Sequence, residues 1–367
     1  MKNSLKIYNI PYGTDEWYHF RKNGIGGSEI GTVLGLNKYE TIARLFHEKV
    51  GTVEMRKEEN EKMLWGQVLE ETVAKMWSYY DGTKDGYIKN FKDDKIIRKC
   101  RKLNGYVVNP DYPWLFGSPD RLINIEGGIN LITGESLKTE AVLECKNLGY
   151  WMTKIWADGL PIYFLAQVHI YMIILDTDYA EIAILRDGND FEVEKIIRDD
   201  NLCDKIIEVS KSFWYNRIVP AKKAYENLKV AESNRNFTEM EKWEAEIQKY
   251  EPEPDTSEAY EQFMNERFLK TRESVKGTMD IYNLAKKDKV LLGLNNLIDK
   301  ERTNIKNIIL KQLYEKGSDM IDFDNLGYIL WDERKGSKNR TFVNRIKEKP
   351  TEEQLLKEFI KINFDCY

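Results

Sequence analysis

The stretch from Gly117 to Lys146 constrains this chain most, because it sets two carboxylates and a lysine on two short strands that a turn can bring together. Gly117-Ser118-Pro119-Asp120 makes a sharp entry, Arg121 to Ile125 reads as a strand, and Gly127-Gly128 reads as a turn. Ala141-Val142-Leu143-Glu144-Cys145-Lys146 reads as the next strand. Side chains alternate along a strand, so Glu144 and Lys146 share one face while Leu143 and Cys145 pack on the other. If the strands are neighbours, Asp120 joins Glu144, and two carboxylates supply the hard oxygen ligands that Mg²⁺ or Mn²⁺ takes. By itself the same alternation also describes a surface ion pair.

Composition sets outer limits. A chain of 367 residues is long enough for an enzymatic core and an appendage. The formal charge of −5, with 32% charged residues, gives no global basic signature, so any contact with nucleic acid must come from local patches. The cysteines at 100, 145, 203 and 366 are scattered without metal-ligand spacing, which fits a reducing compartment and argues against an iron–sulfur centre. With neither a signal peptide nor an apolar run of about 18 residues, the expectation is a soluble, cytoplasmic protein.

Taken in order, Thr14 caps a short helix from Asp15 to Asn23 that carries Arg21 in its last turn. Gly24-Ile25-Gly26-Gly27-Ser28-Glu29-Ile30 follows; glycines permit close backbone approach, and Ser28 is expected to cap the next helix and leave N–H groups for an anion such as a terminal phosphate. The other reading is a glycine-rich connector. Glu61 to Tyr80 is an amphipathic helix with Trp65, Val68, Leu69, Thr72, Val73 and Met76 on one side. Glu70 borders that stripe and Glu71 faces solvent, so Glu70 is the better ligand candidate, with a glutamate held by a neighbouring base as the alternative. Residues 82 to 109 are expected to form strands with a basic cluster at Arg98, Lys99, Arg101 and Lys102, and the turn around Asp111 leads into the Gly117 corner. Ile162 to Leu175 is apolar nearly all round and therefore buried, so Gln167 must face backbone groups or the acids. Tyr179 to Arg186 and Phe191 to Ile197 read as a hairpin, and Asn201 to Ile218 as the helix that closes the core. His19, His47 and His169 read as packing or surface residues.

Together these residues resemble the PD-(D/E)XK nucleases, and within them the phage-type alkaline exonucleases, the YqaJ-like and lambda-exonuclease-like group. The resemblance covers about the first 220 residues: Arg21 followed by Gly27-Ser28, Trp65-Gly66 followed by Glu70, Ser118-Pro119-Asp120, Glu144-x-Lys146, and Ala166-Gln167-Val168. It implies an α/β fold, a restriction-endonuclease-like core with a mixed central sheet flanked by helices. It implies metal ligands at Asp120, Glu144 and Glu70, with Asp111 in the place of a further acid, a catalytic Lys146, Gln167 completing the site, and a 5′-phosphate received by Arg21 and Ser28. The implied reaction is Mg²⁺-dependent hydrolysis, with Mn²⁺ as substitute, that digests linear double-stranded DNA 5′ to 3′ from its ends in phage-type recombination. A ring-shaped trimer and a single-strand annealing protein are the implied partners. An endonuclease or nicking enzyme using the same acids, or a noncatalytic DNA-binding protein, are the alternatives.

The expected organisation is a nuclease core over 1–220, a charged helix and Pro-containing linker over 221–255, and a mainly helical extension over 256–367 with a small β-hairpin. The long helical stretch from Ser257 to Lys316 is expected to break near Lys276-Gly277. Trp331 to Pro350 holds seven Lys or Arg against three Asp or Glu. Arg334, Lys335, Lys338 and Arg340 in that hairpin are thus expected to form an accessory DNA patch, with a solvated charged hairpin as the alternative.

Overall fold

The computed structural model describes residues 4–55, 61–103, 105–156, 159–267, 276–333, 340–346, 350–351 and 354–355. They fall into two compact units, Met1–Leu269 and Lys270–Tyr367.

The first unit is built on a five-stranded mixed sheet in the order Cys100–Arg101, Arg121–Ile123, Ala141–Leu148, Tyr179–Arg186, Asp190–Ile197. Only the Ala141 and Tyr179 strands run parallel. Parallel neighbours need a crossover, and the Ile162–Leu175 helix supplies it. Ala141 to Cys145 are all buried because both sheet faces are covered. Val142 and Leu148 pack with the Ile162–Leu175 helix, while Ala141, Leu143 and Cys145 pack with Val73, Ala74 and Trp77 of the Glu61–Trp77 helix. The expected hairpin is present, and its turn holds Asp187 at φ 49 and Gly188 at φ 77. The expected α/β class with a mixed, helix-flanked sheet is thus what the chain forms.

Three local expectations change. Trp65 and Val68 are exposed, and the buried face of their helix is Val73, Ala74 and Trp77. Lys84–Lys92 is a helix rather than part of a strand region, capped by Thr83. The basic cluster is dissolved into separate ion pairs: Arg101 with Glu140, Lys102 with Glu70, and Arg98 with Glu181.

The Arg98 pair lies inside the core. Glu181 accepts from Arg98 Nη2 and Nη1 at 2.6 and 2.8 Å, from Trp77 Nε1 at 2.6 Å and from the Tyr179 hydroxyl at 2.7 Å. The Arg98 guanidinium stacks on Trp77 at 4.1 Å. A buried carboxylate is tolerable only when so fully satisfied.

The Pro-containing segment is not a linker. Val219–Ser233 and Phe237–Gln248 form a helical hairpin whose Ala221, Ala224, Leu228 and Ile247 belong to the main core. Arg217 Nη1 donates to the carbonyls of Tyr250 and Glu251 at 3.2 and 2.9 Å, Glu251 lies 3.1 Å from His47 Nε2, and Asp255 accepts from the Thr41 hydroxyl at 2.5 Å. Small alanines bring the helices close while contributing little apolar volume, which is why the stripe looks thin in sequence.

In the second unit, Met279–Glu315 is one helix starting at its Thr278 cap, so the expected break near Lys276-Gly277 falls just before it. Met320–Asp322, Tyr328–Glu333 and Arg340–Asn344 make an antiparallel three-stranded sheet, one strand more than expected. Arg334, Lys335 and Lys338 lie outside the described residues. Arg340 opens the return strand, and only its backbone is described.

Removing one partner of the buried pair should be costly. Arg98→Met leaves Glu181 uncompensated and should lower the unfolding free energy by about 3–5 kcal/mol, with Arg98→Met/Glu181→Leu recovering part of it. Urea unfolding of the full chain checks this, and an Arg98→Met midpoint equal to that of the unaltered protein would refute it.

Candidate active site

The Glu144 strand and the Arg121 strand are antiparallel neighbours with Arg121 opposite Leu143, which sets Asp120 against the Glu144–Cys145 step. Their backbones and acids brace each other: the Cys145 N–H donates to Asp120 Oδ2 at 2.8 Å, and the Asp120 N–H donates to Glu144 Oε1 at 3.3 Å. Lys146 Nζ donates to Glu144 Oε2 at 2.9 Å from the same strand face. From the helix above, Gln167 Nε2 approaches Glu144 Oε2 at 3.5 Å and donates to the Tyr171 hydroxyl at 3.1 Å. The expectation that Asp120, Glu144, Lys146 and Gln167 meet is therefore met. The ion-pair alternative fails as a surface description, because Glu144 is 1% exposed.

The electrostatics follow from burial. Burial and the Glu144 charge raise the Asp120 carboxyl well above the usual carboxylate range, against the pull of Lys146 and the Cys145 N–H. Burial alone would lower the Lys146 ammonium, yet Glu144 and Asp120 outweigh it and hold the pKa above its ordinary value. Lys146 is charged, and the two acids share too little positive charge between them.

Glu70 and Asp111 do not join this pair as one ligand set. The Glu70 helix lies on the opposite sheet face, where Glu70 binds Arg121 Nη1 and lies 3.3 Å from Lys102 Nζ, while Arg121 Nη2 donates to Glu71 at 2.6 Å. Glu70 is still near enough to add to the rise at Asp120. Asp111 is exposed on a turn, its N–H donating to Asn109 Oδ1 at 3.0 Å. Among the described residues no three His, Cys, Asp or Glu side chains converge as a metal cage.

The glycine-rich segment is organised differently from expectation. Ser28 is exposed within a short Gly27–Glu29 turn and makes no cap, and the Gly26 N–H donates inward to Glu29 Oε2 at 2.8 Å. Its glycines make room for rings: a Cβ on Gly27 would lie 2.4 Å from the Tyr171 ring, and one on Gly26 would lie 2.6 Å from Phe116. Arg21 Nη2 donates to Glu29 Oε1 at 2.6 Å, and its guanidinium lies 4.9 Å from the Trp17 ring centroid. Lys49, fully buried, donates from Nζ to Glu29 Oε2 at 2.7 Å and to the Arg21 carbonyl at 2.5 Å. Sequence reading missed Glu29 and Lys49. Glu29 carried a signal, because a carboxylate directly after a glycine turn and eight residues from Arg21 has a cation within reach.

With this geometry in hand, the chain can be compared with known proteins. Residues 16–180 match the YqaJ-like viral recombinase domain. The YqaJ-like segment therefore spans every residue of the carboxylate site and Arg21. Over 214 residues the chain is 31% identical to the uncharacterized protein YqaJ of Bacillus subtilis (strain 168), and the match takes in 58% of each protein, so less than two thirds of that relative is spanned. Among solved structures, an alkaline exonuclease (LHK-Exo) from Laribacter hongkongensis is similar at 17% identity and a TM-score of 0.44, covering 60% of this chain and 99% of that one. A phage related exonuclease from Haemophilus somnus 129PT is similar at 14% identity and a TM-score of 0.35, covering 53% and 93%. No helix among the described residues is long and apolar enough to cross a membrane.

The cations around Glu29 give a pH signature. Burial would raise its carboxyl, but Arg21, Lys49 and the Gly26 N–H hold it down at about 2, against an ordinary 4.5. On acidification the unfolded chain takes up this proton first, so the stabilisation is present above about pH 4.5 and is lost as pH falls toward about 2. Glu29→Gln should flatten that limb of the stability–pH curve, and an unchanged limb would rule out the network as its source.

Proposed function

We propose that the first unit is a metal-dependent deoxyribonuclease that digests linear double-stranded DNA from 5′-phosphorylated ends, 5′ to 3′. The observation that carries this reading is the buried Glu144 carboxylate and the half-buried Asp120 carboxylate set against Lys146 and Gln167 on one sheet face. Two such acids form a donor set short of positive charge, and they fit Mg²⁺, or Mn²⁺ in its place, which takes one or two protein carboxylates and completes its shell with water and phosphate oxygens. Asp120 and Glu144 would hold the ion, which supplies a bound water of lowered pKa and neutralises charge developing on the phosphate.

The chain's own residues do the rest. Lys146, held as an ammonium, donates hydrogen bonds; it orients the attacking water and faces the developing negative charge rather than taking a proton. Gln167, anchored on the Tyr171 hydroxyl, fixes the Glu144 carboxylate. Arg21, kept rigid by Glu29 and by stacking on Trp17, would receive the 5′-phosphate, with the exposed Ser28 hydroxyl beside that network. Glu70 fixes Arg121 and through it the strand entry at Asp120, with Asp111 as an outlying acid. The match to a viral recombinase domain supports a role in recombination beside a single-strand annealing protein, and the family resemblance supports a closed ring, a trimer, around DNA. The basic Arg334–Arg340 segment is proposed as an accessory phosphate contact.

Release of nucleotides from linear and circular duplexes, with and without Mg²⁺, tests the activity. Glu144→Gln and Lys146→Met should each lower kcat by at least about 10²-fold, the scale of losing one preorganised electrostatic contact, while melting stays cooperative. Near-normal activity in folded Glu144→Gln protein would sink the assignment, and cutting of closed circles would replace an end-specific enzyme with an endonuclease. Dephosphorylated ends should be degraded more slowly, and Arg21→Ala should erase the difference. Light scattering that gives a monomer at working concentration would eliminate the ring.

A further inference from the structure

The Met279–Glu315 helix of the second unit is about 55 Å long at about 1.5 Å per residue, and its middle presents large apolar side chains to solvent. Val290, Leu291 and Leu297 are exposed, and Leu294 and Ile298 are half-buried. At about 100° per residue, all five lie within about 60° of Leu294 around the helix. Of the large apolar residues between Lys287 and Glu301, Leu292 alone points away. Among the described residues no strand or other helix packs along this face. A contiguous apolar stripe left open in this way marks an interaction surface.

Charge selects its occupant. Lys287 and Glu301 stand seven residues before and seven residues after Leu294, about two turns each way, so both fall on the apolar face. Both are exposed, and among the described residues neither has an ion-pair partner; the helix's own ion pairs are Arg302–Asp299 and Lys311–Glu315. Lys287 and Glu301 are about 21 Å apart along one helix and cannot meet within a chain. A base and an acid at equal and opposite distances from one leucine complement themselves when the helix is reversed. An antiparallel second copy sets Lys287 against Glu301 of the other copy, Val290 against Ile298, and Leu294 against itself. A parallel copy would instead set lysine on lysine and glutamate on glutamate, which costs free energy.

We propose that the middle of this helix is a docking surface for a second copy of the chain, antiparallel, with the two-fold axis at Leu294. In such a contact the same patch serves both copies and every pair occurs twice, so two Lys287–Glu301 pairs flank an apolar centre. The docking joins chains through the second unit. It goes beyond the nuclease reading and is independent of it, and it doubles whatever assembly the first unit makes by itself.

The test is the mass of the full chain by light scattering and sedimentation over a range of concentrations, a readout that does not involve nuclease activity. Leu294→Asp should halve the mass while circular dichroism shows the helix content unchanged. Lys287→Glu and Glu301→Lys, both at exposed positions, should each raise the dissociation constant of that doubling step about tenfold or more, because each places two like-charge pairs across the axis. The double variant Lys287→Glu/Glu301→Lys restores both pairs with their signs exchanged and should return the constant to near that of the unaltered protein. A mass that Leu294→Asp leaves unchanged overturns the proposal. A double variant that associates no better than either single variant overturns it too, since the acid and base then do not face each other between copies and the stripe serves another partner.

Discussion

Two carboxylates held side by side on a buried sheet face are the constraint on which the first unit depends. Unopposed, Asp120 and Glu144 would repel each other in a medium that screens poorly. The fold opposes that repulsion with what lies closest: the Cys145 N–H on one acid, Lys146 on the other, and Gln167 from the helix above. Gln167 comes from the crossover helix that the parallel strand pair requires, and the Cys145 N–H and Lys146 from one strand of that pair, so the topology and the charge arrangement are a single solution. The rise that remains at Asp120, caused by burial and the neighbouring Glu144 charge, marks what these protein groups leave uncompensated.

In a second charged network the carboxylate itself is fully compensated, and the contrast separates the two. Around Glu29, one carboxylate meets Arg21, Lys49 and a backbone N–H, so the acid is held low and an excess of positive charge remains. One site is short of positive charge and the other has it in surplus, and both belong to the segment that matches the YqaJ-like domain. Arg98 and Glu181 form a third pair that is balanced within itself on the other face of the sheet, where it locks the Trp77 helix in place.

Much of this was legible from residue order. The Pro119-Asp120 corner, the Glu144/Lys146 alternation and the uniformly apolar helix around Gln167 gave the central strands and the four residues that meet there, because strand and helix periodicities are local properties. What escaped was set by distance in sequence. Nothing near Glu70 discloses that Arg121, 51 residues on, claims it, and nothing near Arg98 discloses its partner 83 residues away. From sequence, the glycines of the Gly26-Gly27 segment suit close approach to an anion or a plain connector. They are space for Phe116 and Tyr171, and a one-dimensional pattern cannot tell a ligand from a ring.

The helical hairpin after residue 218 shows the same limit from the side of packing. Alanines at helical spacing carry almost no hydrophobic signal, yet they allow the close approach that brings Ala221, Ala224 and Leu228 into the main core. Pro252 is buried there, and Glu251 and Asp255 on either side of it are bound to His47 and Thr41, so this proline stiffens a packed connection instead of marking a free one. Arg44 reaches further still, binding Glu266 and stacking on Phe263 at 4.9 Å. The first unit therefore ends where these contacts end, near Leu269, and the structural boundary lies about fifty residues beyond the 1–220 core expected from sequence.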